Sequence, residues 1–190
     1  MVYGGKTVLD YIRPPNFSFK EVAMKVFLVC GTNSVCGPIA EAYLGTLDKR
    51  LNVISAGTKP TAAIHPFAIR VMHEKGYSLL GHQTKKVDHF FGEHFDYFVT
   101  LSHSARTDCL TFPGCVTHRV HFGLEEPNYL PQNLDTQLFL FRKVRDRLFE
   151  VMDTLYSTEL EPRLALNDYM GSPLLTSILP SQANRPVMGE

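Results

Sequence analysis

The sequence lacks an excess of charge of either sign. Its 190 residues include 19 Lys and Arg side chains and 19 Asp and Glu side chains, so the formal net charge is zero. Proteins that bind nucleic acid or an anionic membrane surface ordinarily present a strongly basic patch or an overall basic balance. We therefore expect neither nucleic acid nor a membrane among the partners of this chain.

Long apolar runs and a dense set of cysteines are also missing. No stretch approaches the roughly 20 apolar residues of a membrane-spanning helix, and the polar, proline-containing residues 1–17 are not typical of a secretory signal. Four cysteines in a chain of this length do not make a disulfide scaffold. Reactive or buried thiols in a reducing compartment explain them better, so we expect a cytoplasmic protein.

Short apolar runs alternate with helical patterns from residue 24 onward. Strands are predicted at 25–30, 51–56, 95–101 and 116–122, and helices after Pro38, over 66–76, and over a long segment that Asp135 could cap. This alternation predicts right-handed crossovers and an α/β fold, a three-layer α/β/α arrangement around a four-stranded parallel sheet. We predict a domain over residues 24–157, with an N-terminal extension at 1–23 and a C-terminal tail at 158–190.

The turn after the first predicted strand is the best candidate for chemistry. Cys30 ends that strand, and a turn rich in small residues leads to Pro38 at the start of a helix. In parallel α/β sheets, ligands bind beyond the carboxyl ends of the strands. Successive N–H groups and a helix N-terminus could bind an anion there and favour a nucleophilic Cys30 thiolate. A buried cysteine before an ordinary turn explains the same local pattern equally well.

A family resemblance supports the functional interpretation. Residues 26–44, VFLVCGTNSVCGPIAEAYL, resemble the active-site signature of the low-molecular-weight tyrosine phosphatases and the related thioredoxin-coupled arsenate reductases. The matching positions are Cys30, Asn33, Ser34, Pro38, Ala40 and Glu41. Further segments at 54–60, 65–77, 95–114, 121–127 and 141–148 resemble the family in the same order, and the last two lean toward the arsenate reductases.

The resemblance implies a site for phosphate or a related oxyanion, with a phosphoprotein as a further candidate partner. It implies that Cys30 is the nucleophile and that Glu126, before Pro127, stands at the position of the catalytic acid. Tyr129 stands where phosphatases often place an aromatic pocket wall. A solvated turn glutamate and an ordinary packed tyrosine remain alternatives at these two positions. The oxyanion-binding turn would comprise Gly31, Thr32, Asn33, Ser34, Val35, Cys36 and Gly37. No cofactor and no metal are implied.

The chain departs from the family where charge and thiols are required. Cys36 occupies the position of the arginine that holds the oxyanion, Gly37 that of a hydroxyl residue, and Val35 that of a cysteine. The reductase relay uses two cysteines seven positions apart, which here are Ser102 and Cys109. These departures predict weak or absent phosphatase activity, unless Lys59 or Arg106 supplies the missing charge.

Three alternatives to a non-catalytic oxyanion-binding protein stay open. The chain could be an active phosphatase or arsenate reductase variant that uses Cys30. It could instead be a thiol redox protein that uses Cys30 and Cys36, with Cys109 as another redox candidate. A zinc site at Cys109, Cys115, His118 and His121 is disfavoured, because two histidines three residues apart on a strand point to opposite faces.

Overall fold

The computed structural model describes residues 23–125 and 133–170. Its four-stranded sheet is parallel throughout, in the order β2-β1-β3-β4. The strands are β1 (Met24–Cys30), β2 (Leu51–Gly57), β3 (His94–Thr100) and β4 (Cys115–His121). The predicted α/β fold with a four-stranded parallel sheet is confirmed. The chain leaves β1 toward β2 and returns to β3 on its other side, so the order of strands reverses between β1 and β3, where such sheets bind ligands.

Helices connect the strands. They are α1 (Cys36–Leu47), α2 (Pro66–His73), α3 (His103–Asp108), α4 (Leu134–Leu155) and α5 (Glu161–Met170), with a 3-10 turn at Val87–Phe90 and a π-helical turn at Tyr156–Leu160. Helix α2 ends earlier than predicted, and the chain turns away from it through Gly76 at φ +82°. No helix of the described ranges is both long and apolar enough to span a membrane.

The cap of α4 corrects one prediction. The side chain of Asn133, not that of Asp135, accepts a hydrogen bond from the N–H of Thr136 at 2.8 Å. Asn133 has an extended backbone outside the helix, the conformation from which a side-chain oxygen can reach the exposed N–H groups of the first turn. Asp135 already lies within that turn, where its negative charge complements the helix dipole.

The two faces of the sheet have different coverings. Alternate residues of β1 point to opposite faces. Val26, Leu28 and Cys30 face a core formed with α1, α2, α4 and α5, whereas Phe27 and Val29 face an aromatic cluster. In that cluster the Phe27 ring stacks on Phe95, with centroids 4.5 Å apart. Cys30 therefore lies on the helix-covered face.

The helical segment that begins with α4 continues past the expected end of the domain. The π-helical turn joins α4 directly to α5, so the boundary expected at residue 157 falls inside one continuous helical segment. Leu160 and Leu164 are buried in the same core as α4. Pro162, which has no N–H to continue the hydrogen-bond ladder, lies directly after the π-helical turn at the junction with α5.

A buried arginine ties α4 to α2. Arg145 is 3% exposed, and its Nη1 donates to the carbonyl oxygen of Val71 at 2.8 Å. The same Nη1 lies 3.5 Å from a Glu74 carboxylate oxygen, and Nε donates to Asp146 at 2.8 Å. The predicted apolar stripe of α4 thus includes one charged side chain that is paired within the core.

We expect Arg145→Met to destabilise the protein by about 2–4 kcal/mol, because it leaves the buried carbonyl oxygen of Val71 without this donor and breaks a buried charged network. Arg142→Met is the matched control, since Arg142 contacts the same Glu74 through two hydrogen bonds of 2.7 and 2.8 Å but is half-exposed. That variant should cost about 1 kcal/mol or less. Urea unfolding of both variants measures the difference, and equal losses would contradict the role assigned to burial.

The end of α1 carries a pH-sensitive contact. Hydrogen bonds from Arg50 lower the pKa of Asp48 to about 2, and the Tyr156 hydroxyl donates to the same carboxylate at 3.1 Å. Since the folded-state pKa is depressed, the stabilisation is present above the ordinary pKa near 4 and is lost as the pH falls toward 2. We expect Asp48→Asn to lower stability on the order of 1 kcal/mol at pH 7. Urea titrations at several pH values should show this difference disappearing between about pH 4 and 2; a constant difference would exclude Asp48 as its source.

Candidate functional site

Cys30 lies at the carboxyl end of β1, next to the point where the strand order reverses. Its side chain is almost fully buried, and Sγ donates to the carbonyl oxygen of Ala56 at 3.7 Å. A Cβ added to Gly37 would lie 3.0 Å from Sγ, so the thiol sits close against the first turn of α1. The predicted nucleophile and the predicted helix N-terminus are therefore adjacent.

Asn33 fixes the shape of the turn. Its backbone has φ +52°, in the left-handed region that Asn tolerates better than most residues. Its Nδ2 donates to the Ser55 hydroxyl at 2.9 Å, and its Oδ1 accepts from the N–H of Lys85 at 2.8 Å. Nδ2 also lies 4.0 Å from Cys30 Sγ. The fully buried amide thus holds the turn against β2 and the segment at 84–86.

A partly buried ion pair continues this network. The Glu41 carboxylate accepts from both the N–H and the hydroxyl of Ser55, at 2.9 and 2.5 Å. It also pairs with the Lys85 ammonium at 3.0 Å. Sequence reasoning matched Glu41 to the family but assigned no role to Ser55 or Lys85. The signal available was that Ser55 lies in the family-like segment 54–60.

The carbonyl groups of the turn point away from its centre. Those of Cys30, Gly31, Thr32 and Ser34 accept hydrogen bonds of 2.9–3.0 Å from backbone N–H groups, whose donors are Thr58, Lys59, Thr61 and His65. Within residues 23–125 and 133–170, no backbone carbonyl accepts from the N–H groups of 32–35. A turn with its carbonyls tied outward and its N–H groups available is the arrangement that binds an anion. The Thr32 and Ser34 hydroxyls, 3.0 Å apart, add polar groups to it.

Neither candidate for the missing charge is aimed at the turn. Lys59 is exposed and pairs with Asp108 at 3.5 Å. Arg106 lines a pocket on the aromatic side of the sheet, with Phe98 and Cys109. The basic residues that share a cavity with Cys36 are Lys143 and Arg147 of α4, which line a cleft of about 430 Å³. Their four-residue spacing in the family-like segment 141–148 was the available sequence signal.

The relay positions do not hold reactive thiols. Ser102 is buried and caps α3 by accepting from the N–H of Ala105 at 3.3 Å. Burial, and secondarily the Asp108 carboxylate, raises the pKa of the Cys109 thiol to about 11. Cys109 is therefore protonated at neutral pH and is a poor redox nucleophile in this conformation. Cys30, Cys36 and Cys109 are all buried.

The remaining sequence candidates fall in three places. Glu126 and Tyr129, the predicted acid and pocket wall, lie outside the described residues. His118 packs beside the Tyr97 ring, whereas His121 contacts Thr100 and His103. Over the described ranges, no group of three or more His, Cys, Asp or Glu side chains is arranged to hold a metal ion.

The fold and this turn define an α/β protein with a candidate anion-binding turn at the end of its first strand. A model of the family described as low molecular weight phosphotyrosine protein phosphatase matches residues 25–163. The chain belongs to this family, which confirms the resemblance found in the sequence.

Similar proteins include members of both branches. An arsenate reductase of Bacillus cereus strain Q1 is 30% identical over 129 residues, which cover 66% of this chain and 88% of that protein. Arsenate reductase 1 of Staphylococcus epidermidis is 28% identical over 130 residues, or 68% and 92%. A solved arsenate reductase in the phosphate-binding state is 27% identical, with a TM-score of 0.56 over 70% of this chain and 97% of that one.

A low molecular weight protein tyrosine phosphatase from T. tengcongensis supports the fold alone. It is 19% identical, and its TM-score is 0.58 over 70% of this chain and 98% of its own.

We expect Gly37→Ser, which restores the hydroxyl of the family pattern, to destabilise the protein by about 1–3 kcal/mol. The added Cβ would lie 2.3 Å from Asn33 Nδ2 and 3.0 Å from Cys30 Sγ, so the amide that shapes the turn must move. Gly45→Ala in the same helix is the control, because nothing lies within 4 Å of its added Cβ.

The control should stabilise the protein by about 0.5–1 kcal/mol, through helix propensity and a less flexible unfolded chain. Urea unfolding measures both changes. Equal effects of the two substitutions would rule out the close approach of Gly37 to Asn33 as the cause.

Proposed function

We propose that the turn from Cys30 to Gly37 binds phosphate or a related oxyanion through its main-chain N–H groups, and that hydrolysis of phosphate esters by Cys30 is weak or absent. The observation that carries the proposal is the outward hydrogen bonding of the turn's carbonyls, together with the left-handed Asn33. The turn keeps a conformation suited to an anion although it contains no arginine. Its affinity then comes from peptide dipoles and the N-terminus of α1.

The same turn lacks the groups that turnover needs. An arginine fork gains strength as charge develops on a transferring phosphoryl group, and losing one such stabiliser commonly costs about 10²–10³ in rate. Cys36 provides no positive charge, and Gly37 provides no hydroxyl to assist the leaving sulfur. The Cys30 Sγ lies 3.7 Å from the Ala56 carbonyl oxygen and 4.0 Å from the Asn33 amide nitrogen, and no cationic side chain of the turn accompanies it.

Similarity to arsenate reductases supports arsenate as a second ligand, because arsenate and phosphate share shape and charge. Reduction is not supported, since Ser102 cannot form the disulfide of a thiol relay and Cys109 is buried with a raised pKa. A redox role for Cys30 and Cys36 stays an alternative, with both thiols in the same core cluster. A phosphoprotein is a candidate source of the oxyanion.

Titration of the isotope-labelled protein with inorganic phosphate, followed by amide NMR, tests the binding step. We expect saturable shifts of the amide signals of residues 31–37, and arsenate should shift the same signals. Cys30→Ser should retain this response, because the N–H groups and not the thiol hold the anion. Absence of saturable shifts in the turn would overturn the proposal.

Hydrolysis of p-nitrophenyl phosphate tests the catalytic step. We expect the natural chain to hydrolyse p-nitrophenyl phosphate no faster than its Cys30→Ser variant does. Cys36→Arg adds a charged donor and should bind phosphate about tenfold or more tightly than the natural chain. Turnover that Cys30→Ser abolishes would show an active phosphatase. A gain of turnover in Cys36→Arg that depends on Cys30 would identify the missing charge as the reason for inactivity.

A further inference from the structure

A second pocket lies away from the Cys30 turn, where the last turn of α3 meets the carboxyl halves of β3 and β4. Its volume is about 240 Å³, and Arg106, Arg119 and His121 line it together with Phe98, Cys109 and Leu110. Phe98 and Cys109 belong to the aromatic cluster, whereas Cys30 belongs to the core on the opposite face of the sheet. The two sites are therefore separated by the sheet.

Two arginines line this pocket, and no acidic side chain there neutralises them. In the part of the chain that the structure describes, neither Arg106 nor Arg119 has a carboxylate oxygen within 4.0 Å, although most other arginines there do. No acidic side chain lines the pocket. Two guanidinium groups at one concave surface repel each other, and an anion placed between them relieves the repulsion while accepting charge-assisted hydrogen bonds.

Arg119 is held in place before any ligand arrives. Its guanidinium carbon lies 4.8 Å from the centroid of the Phe98 ring, within the range of a cation–π contact. Phe98 is buried at the centre of the aromatic cluster, which makes it a rigid support. An arginine fixed in this way loses little conformational freedom when it binds, so more of its interaction energy appears as affinity.

The other walls indicate what the anion is attached to. Leu110 is 70% exposed at the pocket, and Phe98 forms part of the lining, so an apolar group has a surface to cover. The His121 ring is held by the Thr100 hydroxyl at 2.8 Å and by His103 at 3.4 Å, and burial lowers its pKa, so it adds polarity rather than charge at neutral pH. A volume of 240 Å³ is below that of pockets for drug-sized ligands.

We propose that this pocket binds a small organic anion, a phosphate or carboxylate carried on one ring or a short apolar chain. Arg106 and Arg119 hold the anionic group, and Phe98 and Leu110 contact the apolar part. The site is independent of the proposed oxyanion site at Cys30.

Amide NMR titrations with phenyl phosphate and with benzoate test this proposal, since the two sites report through different signals. We expect saturable shifts around Thr100, Cys109 and Val120, with dissociation constants near or below about 1 mM, a typical weak small-ligand affinity. Benzoate should leave the signals of residues 31–37 unchanged. Inorganic phosphate should bind the pocket at least about tenfold more weakly than phenyl phosphate, because it has no apolar part.

Substitutions identify the groups responsible. Arg106→Ala and Arg119→Ala should each weaken benzoate binding about tenfold or more, and the double variant should abolish it. Arg119→Lys keeps the charge near Phe98 but removes the fork, and should weaken binding less than Arg119→Ala. Arg70→Ala, which removes an exposed arginine of α2 outside the pocket, should leave binding unchanged.

Two results would overturn the proposal. One is the absence of saturable shifts at the pocket with either aromatic anion up to about 10 mM, ten times the expected dissociation constant. The other is unchanged binding in the double variant, with a dispersed spectrum that shows it to be folded. Loss of the phosphate response at residues 31–37 alone would overturn the oxyanion site and leave this one standing.

Discussion

The hydrogen bonds of the buried Asn33 side chain determine the geometry on which the candidate site depends. Its amide joins the turn after β1 to Ser55 on β2 and to the backbone of Lys85, while its own backbone takes a left-handed conformation. Gly57 allows β2 to pack closely against the turn, because a Cβ at this position would lie 2.7 Å from the Gly31 carbonyl oxygen. The Glu41–Lys85 ion pair joins α1 to the segment at 84–86. The turn is thus shaped by contacts within the protein itself.

This arrangement separates the shape of an oxyanion site from the charge that catalysis requires. Peptide N–H groups provide the shape, and they depend on the backbone conformation that Asn33 and the outward carbonyl bonds maintain. The stabilisation of a transferring phosphoryl group depends on a guanidinium. That group belongs to a side chain and not to the backbone that shapes the turn. A chain of this family can therefore keep the fold and the turn while Cys36 replaces the arginine. Membership of the family is therefore compatible with the replacement of its arginine by Cys36.

On the opposite face of the sheet, a buried aromatic cluster contacts a positively charged side chain. Phe27, Phe95, Phe98 and Phe112 are buried together in this cluster, and the Phe98 ring contacts the Arg119 guanidinium. Arg106, Cys109 and Leu110, from the segment after β3, form one wall of a basic pocket. Cys109 has become part of the core, with its thiol pKa raised by burial.

The sequence alone determined the features that local patterns encode. Local hydrophobic patterns located all four strands, and the residues from Cys30 to Pro38 identified the turn and the family. A hydrophobic period, turn-forming residues and a contiguous motif can all be recognised without knowledge of distant contacts. The local pattern did not predict that Asn133 rather than Asp135 caps α4, because both residue types can cap a helix. Beyond residue 157, the burial of Leu160 and Leu164 depends on the elements they pack against and not on a clear local period.

Only the tertiary structure decided which side chains meet. Ser55 and Lys85 reach Asn33 because β2 and the segment at 84–86 lie beside the turn. Arg106 and Arg119 share a pocket because α3 and the carboxyl half of β4 both border it. Neither pairing has a sequence signature, since the residues are separated by 13 to 52 positions and are joined only by the order of strands in the sheet. The sequence by itself determined that the turn at Cys30 contains no arginine. The packing of the sheet decided that Arg106 and Arg119 line a different pocket.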